Sequence, residues 1–235
     1  MRIHIYHLLE GARRASGLTV IIDVFRAFSL ECYLYHMGAA EIRPVGSVED
    51  TFAWREKDPA CVLIGERGGA KIEGMDFGNS PSQVSPAAVR GKRVIHTTSA
   101  GTQGIINAAN ADEILTGSLV NADAIAEYIR QKDPAEVSLV CMGKAGIEIA
   151  EEDELCAEYI RLKLLGLPVD DVKRQIAELQ FRGGKHFFRP DTQEIFPEAD
   201  FYLCICTGVF PFVLRVTKDE LGYLSEKVGI DENVL

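Results

Sequence analysis

The chain has 235 residues, 47% hydrophobic and 26% charged, the mixture of a globular protein that can bury a full core without staples. A formal net charge of -10 excludes broad nucleic-acid binding, which needs a basic patch, and obliges any anionic ligand to be met by local cations, backbone amides or a divalent metal. Six cysteines without a C-x-x-C pair, no signal-peptide pattern at the start and no apolar run of the ~18 residues a membrane span needs predict a cytoplasmic protein with reduced thiols and no membrane partner.

Hydrophobic patterning predicts strands at 2–6, 18–24, 41–45, 61–66, 92–96, 113–116 and 136–141, with helices at 27–38, 47–57, 101–110, 120–131 and 152–165. Such alternation implies right-handed crossovers, hence an α/β fold with a mostly parallel sheet and helices on both faces. Ser47 before Glu49 and Asp50, and Asn121 before Asp123, read as helix N-caps; Gly166 and Pro168 close the helix that holds Tyr159. Beyond Asp170 the pattern changes. An amphipathic helix over 172–179 is broken by Gly183-Gly184, and a helical turn follows at 191–197. Strands are expected at 200–206 and 212–216, and a last helix at 218–228. Cys204 and Cys206 would then share one face of a strand and pack in the core. No repeat or flexible linker divides the chain, so 1–235 reads as one domain, its motifs in 1–166 and 167–235 packed on them.

Five predicted strands end in residues that bind phosphate or metal, and ligands of open α/β sheets sit beyond the carboxyl ends of strands. Asp23 follows an apolar run and could bind Mg²⁺, act as a nucleophile or cap the next helix. Arg26 suits either a phosphate or sulfonate or a surface ion pair, while Ser29 reads as helical filler. In Gly65-Glu66-Arg67-Gly68-Gly69, Glu66 offers a hard oxygen and Arg67 a planar fork, and the glycines let amides approach a ligand; an ordinary charged turn is the alternative. Asp76, Asn79 and Ser80 lie in the irregular stretch 67–86, whose length in a compact domain points to function. Thr97-Thr98-Ser99-Ala100-Gly101-Thr102 joins a strand to a helix and reads as an anion cradle or a plain cap. His96 just before it reads as a core histidine. Gly117-Ser118 and Gly143-Lys144-Ala145-Gly146 end two more strands, and the acids Glu151 to Glu154 that follow suit a first helical turn.

The sequence has no G-x-x-x-x-G-K-[ST] loop, no G-x-G-x-x-G fingerprint, no D-x-D pair at Asp23 and no Ser-His-Asp signature. Cys61 and Arg67 satisfy C-x₅-R, but the residues between them read as a strand rather than a phosphate cradle. The blocks at Asp23-Val24-Phe25-Arg26, Gly65 to Gly69, Asp76 to Pro81 and Thr97 to Thr102, with Gly117 to Asn121 and Glu152-Asp153, together resemble the 2-phosphosulfolactate phosphatase family.

That resemblance implies a three-layer α/β/α fold and a Mg²⁺-dependent hydrolysis of (2R)-2-phospho-3-sulfolactate, a step toward coenzyme M. On this reading Asp23 and Glu66 hold Mg²⁺, with Asp76 or Asp153 completing the shell. Arg26 and Arg67 grip the anions. Gly68, Gly69, Asn79, Ser80, Thr97, Thr98, Ser99, Gly101 and Thr102 bind the remaining substrate oxygens. Ala100 departs from the family, which often has Asn there. A phosphatase for another phosphorylated hydroxy acid, or a non-catalytic receptor for phosphate or sulfonate metabolites, are the competing readings. The expected partner is a small anionic substrate, and a homo-oligomer is left open.

Overall fold

A computed structural model describes residues 1–230. In chain order it contains β1 (Arg2–His7), α1 (Leu8–Arg14), β2 (Gly17–Ile22), α2 (Ala27–His36), β3 (Glu41–Pro44), α3 (Val48–Lys57), β4 (Val62–Arg67), β5 (Ala70–Lys71), α4 (Pro86–Val89) and β6 (Arg93–Thr97). There follow α5 (Gly101–Asn107), β7 (Ala111–Gly117), α6 (Ala122–Lys132), β8 (Glu136–Cys141), α7 (Glu151–Leu165), α8 (Asp170–Glu178), α9 (Glu198–Ile205), β9 (Phe212–Asp219) and β10 (Gly222–Gly229). No helix among the described residues is long and apolar enough to cross a membrane.

The strands form one large, mostly parallel sheet in the order β1-β8-β2-β7-β9-β10-β3-β6-β4-β5. One parallel group is β1, β8, β2 and β7; the other is β3, β6 and β4. The antiparallel hairpin β9–β10 joins them, bonding β7 through three residue pairs and β3 through the single pair Ser225 and Ile42. Neighbouring strands lie about 4.8 Å apart, so in a flat sheet β2 and β4 would be nearly ~30 Å apart. Their carboxyl ends nevertheless open into one cavity, so the sheet curls strongly around the hairpin.

Alternation along β2 explains why helices cover both faces there. Val20 and Ile22 pack with Leu115, Ile125 and Tyr159 toward α6 and α7, whereas Ile21 packs with Ala12, Phe28 and Ile105 toward α1, α2 and α5. A run buried on both faces is the mark of a central parallel strand. In the second group, Val62, Ile64 and Val94 face Leu30 and Leu34 of α2, and Leu63 and Ile95 face Trp54 of α3.

The capping expected at Ser47 is present: its hydroxyl accepts the Asp50 amide at 3.0 Å. Asn121 works differently. It closes a reciprocal box with Ser118 around the 3₁₀ turn at Leu119–Asn121, and makes no side-chain cap on α6.

The larger differences lie near the C-terminus. The expected strand at 200–206 is the helix α9, entered from Pro197 with Glu198 and Asp200 in its first turn. Asp200, Phe201 and Cys204 are buried at helical spacing and Cys206 is exposed, so the two cysteines do not share a face. The expected helix at 218–228 is instead the hairpin β9–β10, whose turn is fixed by Asp219 accepting the Leu221 amide at 2.8 Å. The short helix α1 carries no signal that the patterning recognised.

Candidate active site

A cavity of about 600 Å³ opens where β2, β4, β6 and β8 end. Asp23, Glu66, Glu152 and Asp153 bring four carboxylates to its wall, while Lys144 and Lys185 bring cations. Asp23 leaves β2 with its amide bonded to Gly117 O at 3.1 Å, and its Oδ1 accepts the Ala27 amide at 3.4 Å, so it also caps α2. Its Oδ2 faces the start of α5. A Cβ at Gly101 would stand 3.0 Å from that oxygen, 3.0 Å from the Phe28 ring and 3.1 Å from the Ala27 Cβ, which together favour glycine there. Burial and the nearby Glu66 and Glu152 carboxylates push the Asp23 carboxyl up to about 7, against the opposing pull of the Ala27 amide and His96.

Glu66 is a clasp. Its Oε1 accepts the Ser99 amide at 2.7 Å, and its Oε2 accepts the Gly69 amide at 2.7 Å and the Ser99 hydroxyl at 3.3 Å. The turn it holds needs Gly69, whose φ is +84° and where a Cβ would lie 2.3 Å from the Phe196 ring. Asp153 is a second clasp, with Oδ1 accepting from Val24 N at 2.9 Å and Oδ2 from Gly143 N at 2.8 Å. Burial, then Asp23 and Glu152, raise its carboxyl well above the usual range.

Glu152 is different. It is buried against the cavity with its Oε2 lacking any hydrogen-bond partner. Burial raises its carboxyl, partly offset by its backbone hydrogen bond and by the Lys144 ammonium. Gly183 passes above it, where a Cβ would lie 3.2 Å from that same Oε2.

Several predicted site residues have other work. Arg26 is 3% exposed and held on three sides: Nη1 donates to Asp200 Oδ2 at 2.8 Å and Ile195 O at 2.7 Å, and Nη2 donates to Gly69 O at 2.9 Å. It therefore borders the cavity as a pin between segments, with its two Nη groups engaged by protein oxygens. Ser80 donates to the other Asp200 oxygen at 2.9 Å and does not line the cavity. Arg67 is exposed and outside the cavity wall, donating to Glu66 O and to Thr97 Oγ1.

Thr98 and Thr102 satisfy one another, each hydroxyl accepting the other's amide, so the expected hydroxyl cradle is a local cap; Thr97, Thr98, Gly101 and Thr102 lie behind the wall. Ser99, Ala100, Gly68, Gly69 and Asn79 do line it. Asp76 is the clearest correction among the expected metal ligands. It pairs with Arg55 and accepts the Leu63 amide at 2.8 Å at the far end of β4, facing a second cavity of about 520 Å³.

Sequence reasoning missed the cover. Arg182, Lys185, His186 and Phe196 line the cavity from the C-terminal segment, and the only local signal was the Gly183-Gly184 break. Arg182 is anchored to Glu151 at 3.0 Å. His186 Nδ1 donates to Gly183 O at 3.0 Å, which fixes the tautomer and leaves Nε2 as the acceptor. Burial, with help from Lys144 and Arg26, lowers this imidazole to about 4 despite the bond to Gly183. The Lys144 ammonium, in the loop after β8, acts on both Glu152 and His186.

Among the described residues no three His, Cys, Asp or Glu side chains form a ready-made ligand set. Mg²⁺ does not require one, since it keeps waters and takes one or two carboxylates plus phosphate oxygens. The orphaned Glu152 Oε2 and the crowded Asp23 carboxyl fit that manner of binding. A cation between them would relieve both the desolvation and the repulsion.

A family model described as 2-phosphosulpholactate phosphatase matches residues 3–218. A probable 2-phosphosulfolactate phosphatase of Deinococcus radiodurans is 39% identical over 171 residues, covering 71% of this chain and 70% of the relative. The like-named protein of Bacillus subtilis is 27% identical over 221 residues, 93% of this chain and 95% of its own. One from Synechococcus is 37% identical over 150 residues, 63% of this chain and 61% of its own. The chain belongs to the 2-phosphosulpholactate phosphatase family.

Proposed function

We propose that the chain hydrolyses the phosphate ester of (2R)-2-phospho-3-sulfolactate to 3-sulfolactate and phosphate, with Mg²⁺, as a cytoplasmic step toward coenzyme M. The observation that carries this reading is the mixed charge of the cavity wall, where the buried carboxylates Asp23, Glu66, Glu152 and Asp153 share one space with Lys144 and Lys185. A substrate with two unlike anionic groups matches it: the phosphate is placed through a metal on the acids, the sulfonate on the cations. The three-layer α/β/α arrangement of the family, as one domain, agrees with helices on both faces of β2.

Asp23 and Glu152 would hold the cation; when bound, it would neutralise phosphoryl oxygens and acidify a water. Without the cation, burial and the neighbouring acids let Asp23 hold a proton near neutrality, so that proton and the metal compete for the same place. Glu66 and Asp153 keep the loops that carry Ser99, Gly69 and Gly143 in place. Phe25, Phe196 and His186 line the same space and replace part of its water with apolar surface, which strengthens the charges beside them.

A second reading, another phosphorylated hydroxy acid, is favoured by Ala100, which lines the cavity without a polar group where the family often has Asn. Phosphate release from phosphosulfolactate, phospholactate, phosphoglycolate and phosphoglycerate, with Mg²⁺ and with EDTA, separates the two. Metal-dependent turnover that prefers the sulfonate is expected. A preference for another ester selects the second reading, and release from none of them removes both.

A further inference from the structure

A buried polar chain runs from the hairpin to the cavity wall, which it reaches at Asn79. Glu31 of α2, His96 of β6 and Ser225 of β10 each have 0% exposure. Ionisable groups so placed are tolerated only when paired and hydrogen-bonded. Glu31 Oε2 accepts from Ser225 Oγ at 3.1 Å, Glu31 Oε1 lies 2.9 Å from His96 Nδ1, and His96 Nε2 lies 3.1 Å from Asn79 Oδ1. Asn79 is 5% exposed and lines both cavities.

The direction of each bond follows from what the groups can do. A carboxylate only accepts, so Nδ1 carries a proton. Nε2 faces an amide, which has two ends. If Nε2 is also protonated, it donates to Asn79 Oδ1 and turns the amide NH₂ toward the cavity. If Nε2 is bare, it must accept from the NH₂, and the amide presents its carbonyl to the ligand. The amide oxygen is the atom that lies 3.1 Å from Nε2, so the first arrangement is the one present and the NH₂ is left for the cavity. The loop has little other freedom, because Ser80 Oγ and the Ser82 amide are both tied to Asp200 Oδ1.

We propose that the Glu31–His96 ion pair is a positioning device that locks the Asn79 amide as a hydrogen-bond donor to an oxyanion in the cavity. It rests on the reading of the site as an anion pocket, and it assigns a specificity role to residues that never touch the ligand.

The test combines ¹⁵N NMR of the histidine rings with binding of inorganic phosphate, in the presence of Mg²⁺, to wild type, Glu31→Gln, Asn79→Ala and the double variant. In wild type, His96 is expected protonated at both nitrogens. Glu31→Gln should leave Nε2 bare and weaken phosphate about tenfold, the effect of one hydrogen bond. In the Asn79→Ala background the same change should cost less than about twofold. A bare Nε2 in wild type overturns the proposal, even if no variant folds. An equal loss with and without Asn79 also overturns it, leaving the ion pair as a staple between α2, β6 and β10. Phosphate binding that follows the expected pattern, with no turnover of any ester, would remove the phosphatase reading and leave this one standing.

Discussion

On the wall of the cavity, Glu66 and Asp153 have every carboxylate oxygen bonded to backbone amides, so the loops that follow β2, β4, β6 and β8 are cross-tied before any ligand arrives. The cover, residues 182–196, is secured by Arg182 to Glu151, Glu178 and the Gln175 carbonyl, by Gln83 to the Glu194 carbonyl and Arg26 to the Ile195 carbonyl, and by a cluster of rings in which Phe187 contacts Phe25, His186 and Phe196. Amide-to-carboxylate bonds fix atoms in direction as well as distance, whereas ring contacts fix volume and tolerate sliding. The wall is thus fixed in direction, and the cover is the part with room to adjust.

The sharpest break in that comparison is at the Arg26–Asp200 pair, which joins the two regions while nearly excluded from water, the two side chains 3% and 0% exposed. Removing either partner alone leaves an unmatched buried charge, and we expect Arg26→Ala or Asp200→Ala to lose about 3–5 kcal/mol of stability in denaturant titrations. Next comes Asp23→Asn. It should fold, lower turnover by about 10²-fold or more, and abolish the rise in melting temperature expected of the wild type with Mg²⁺. Unchanged turnover or an unchanged metal-induced shift would remove Asp23 from the proposed role.

The cover should also have its own pH signature. His186 titrates near 4 in the folded chain and near 6.5 when unfolded, so between those values the unfolded state binds more protons and stability falls as pH drops. Allowing for its partial exposure, the loss is of the order of 1–2 kcal/mol and should vanish in His186→Phe, as read from melting temperature against pH. Lys144→Met should raise KM for a doubly anionic ester about tenfold while affecting a simple phosphomonoester less. The smallest effect is expected from Arg67→Ala. This exposed side chain lies off the wall, and its loss should change stability by no more than about 0.5 kcal/mol and leave turnover near wild type.

The parallel half of the fold was legible because its strands are long apolar runs with polar ends, and the same ends marked Asp23, Glu66 and Ser99, whereas Asp153 stood out only through the family resemblance. The sequence could not say which polar groups would be consumed locally. Thr98 and Thr102 look like an anion cradle until each is seen to satisfy the other, and Arg26 looks like a substrate clamp until Asp200, far along the chain, is brought to it. Asp200 itself lay in a run whose alternation fitted a strand, although its burial follows a helix. His186 and Phe196 gave no signal because aromatic residues in a Gly-broken segment have no period to betray which face they serve.

The hairpin β9–β10 has a consequence for how the molecule comes into being. Residues 212–229 are made after every other strand among the described residues, yet they occupy the middle of the sheet. During synthesis β7 and β3 must therefore wait with open hydrogen-bonding edges, the kind of surface on which chains join one another. The curl that brings β2 and β4 to one cavity cannot be set before those residues emerge. A truncation just before Phe212 would remove none of the cavity-lining side chains and would still leave two half-sheets with nothing between them. The site is thus encoded mainly early in the chain and assembled last, which makes its appearance a report that translation has passed the hairpin.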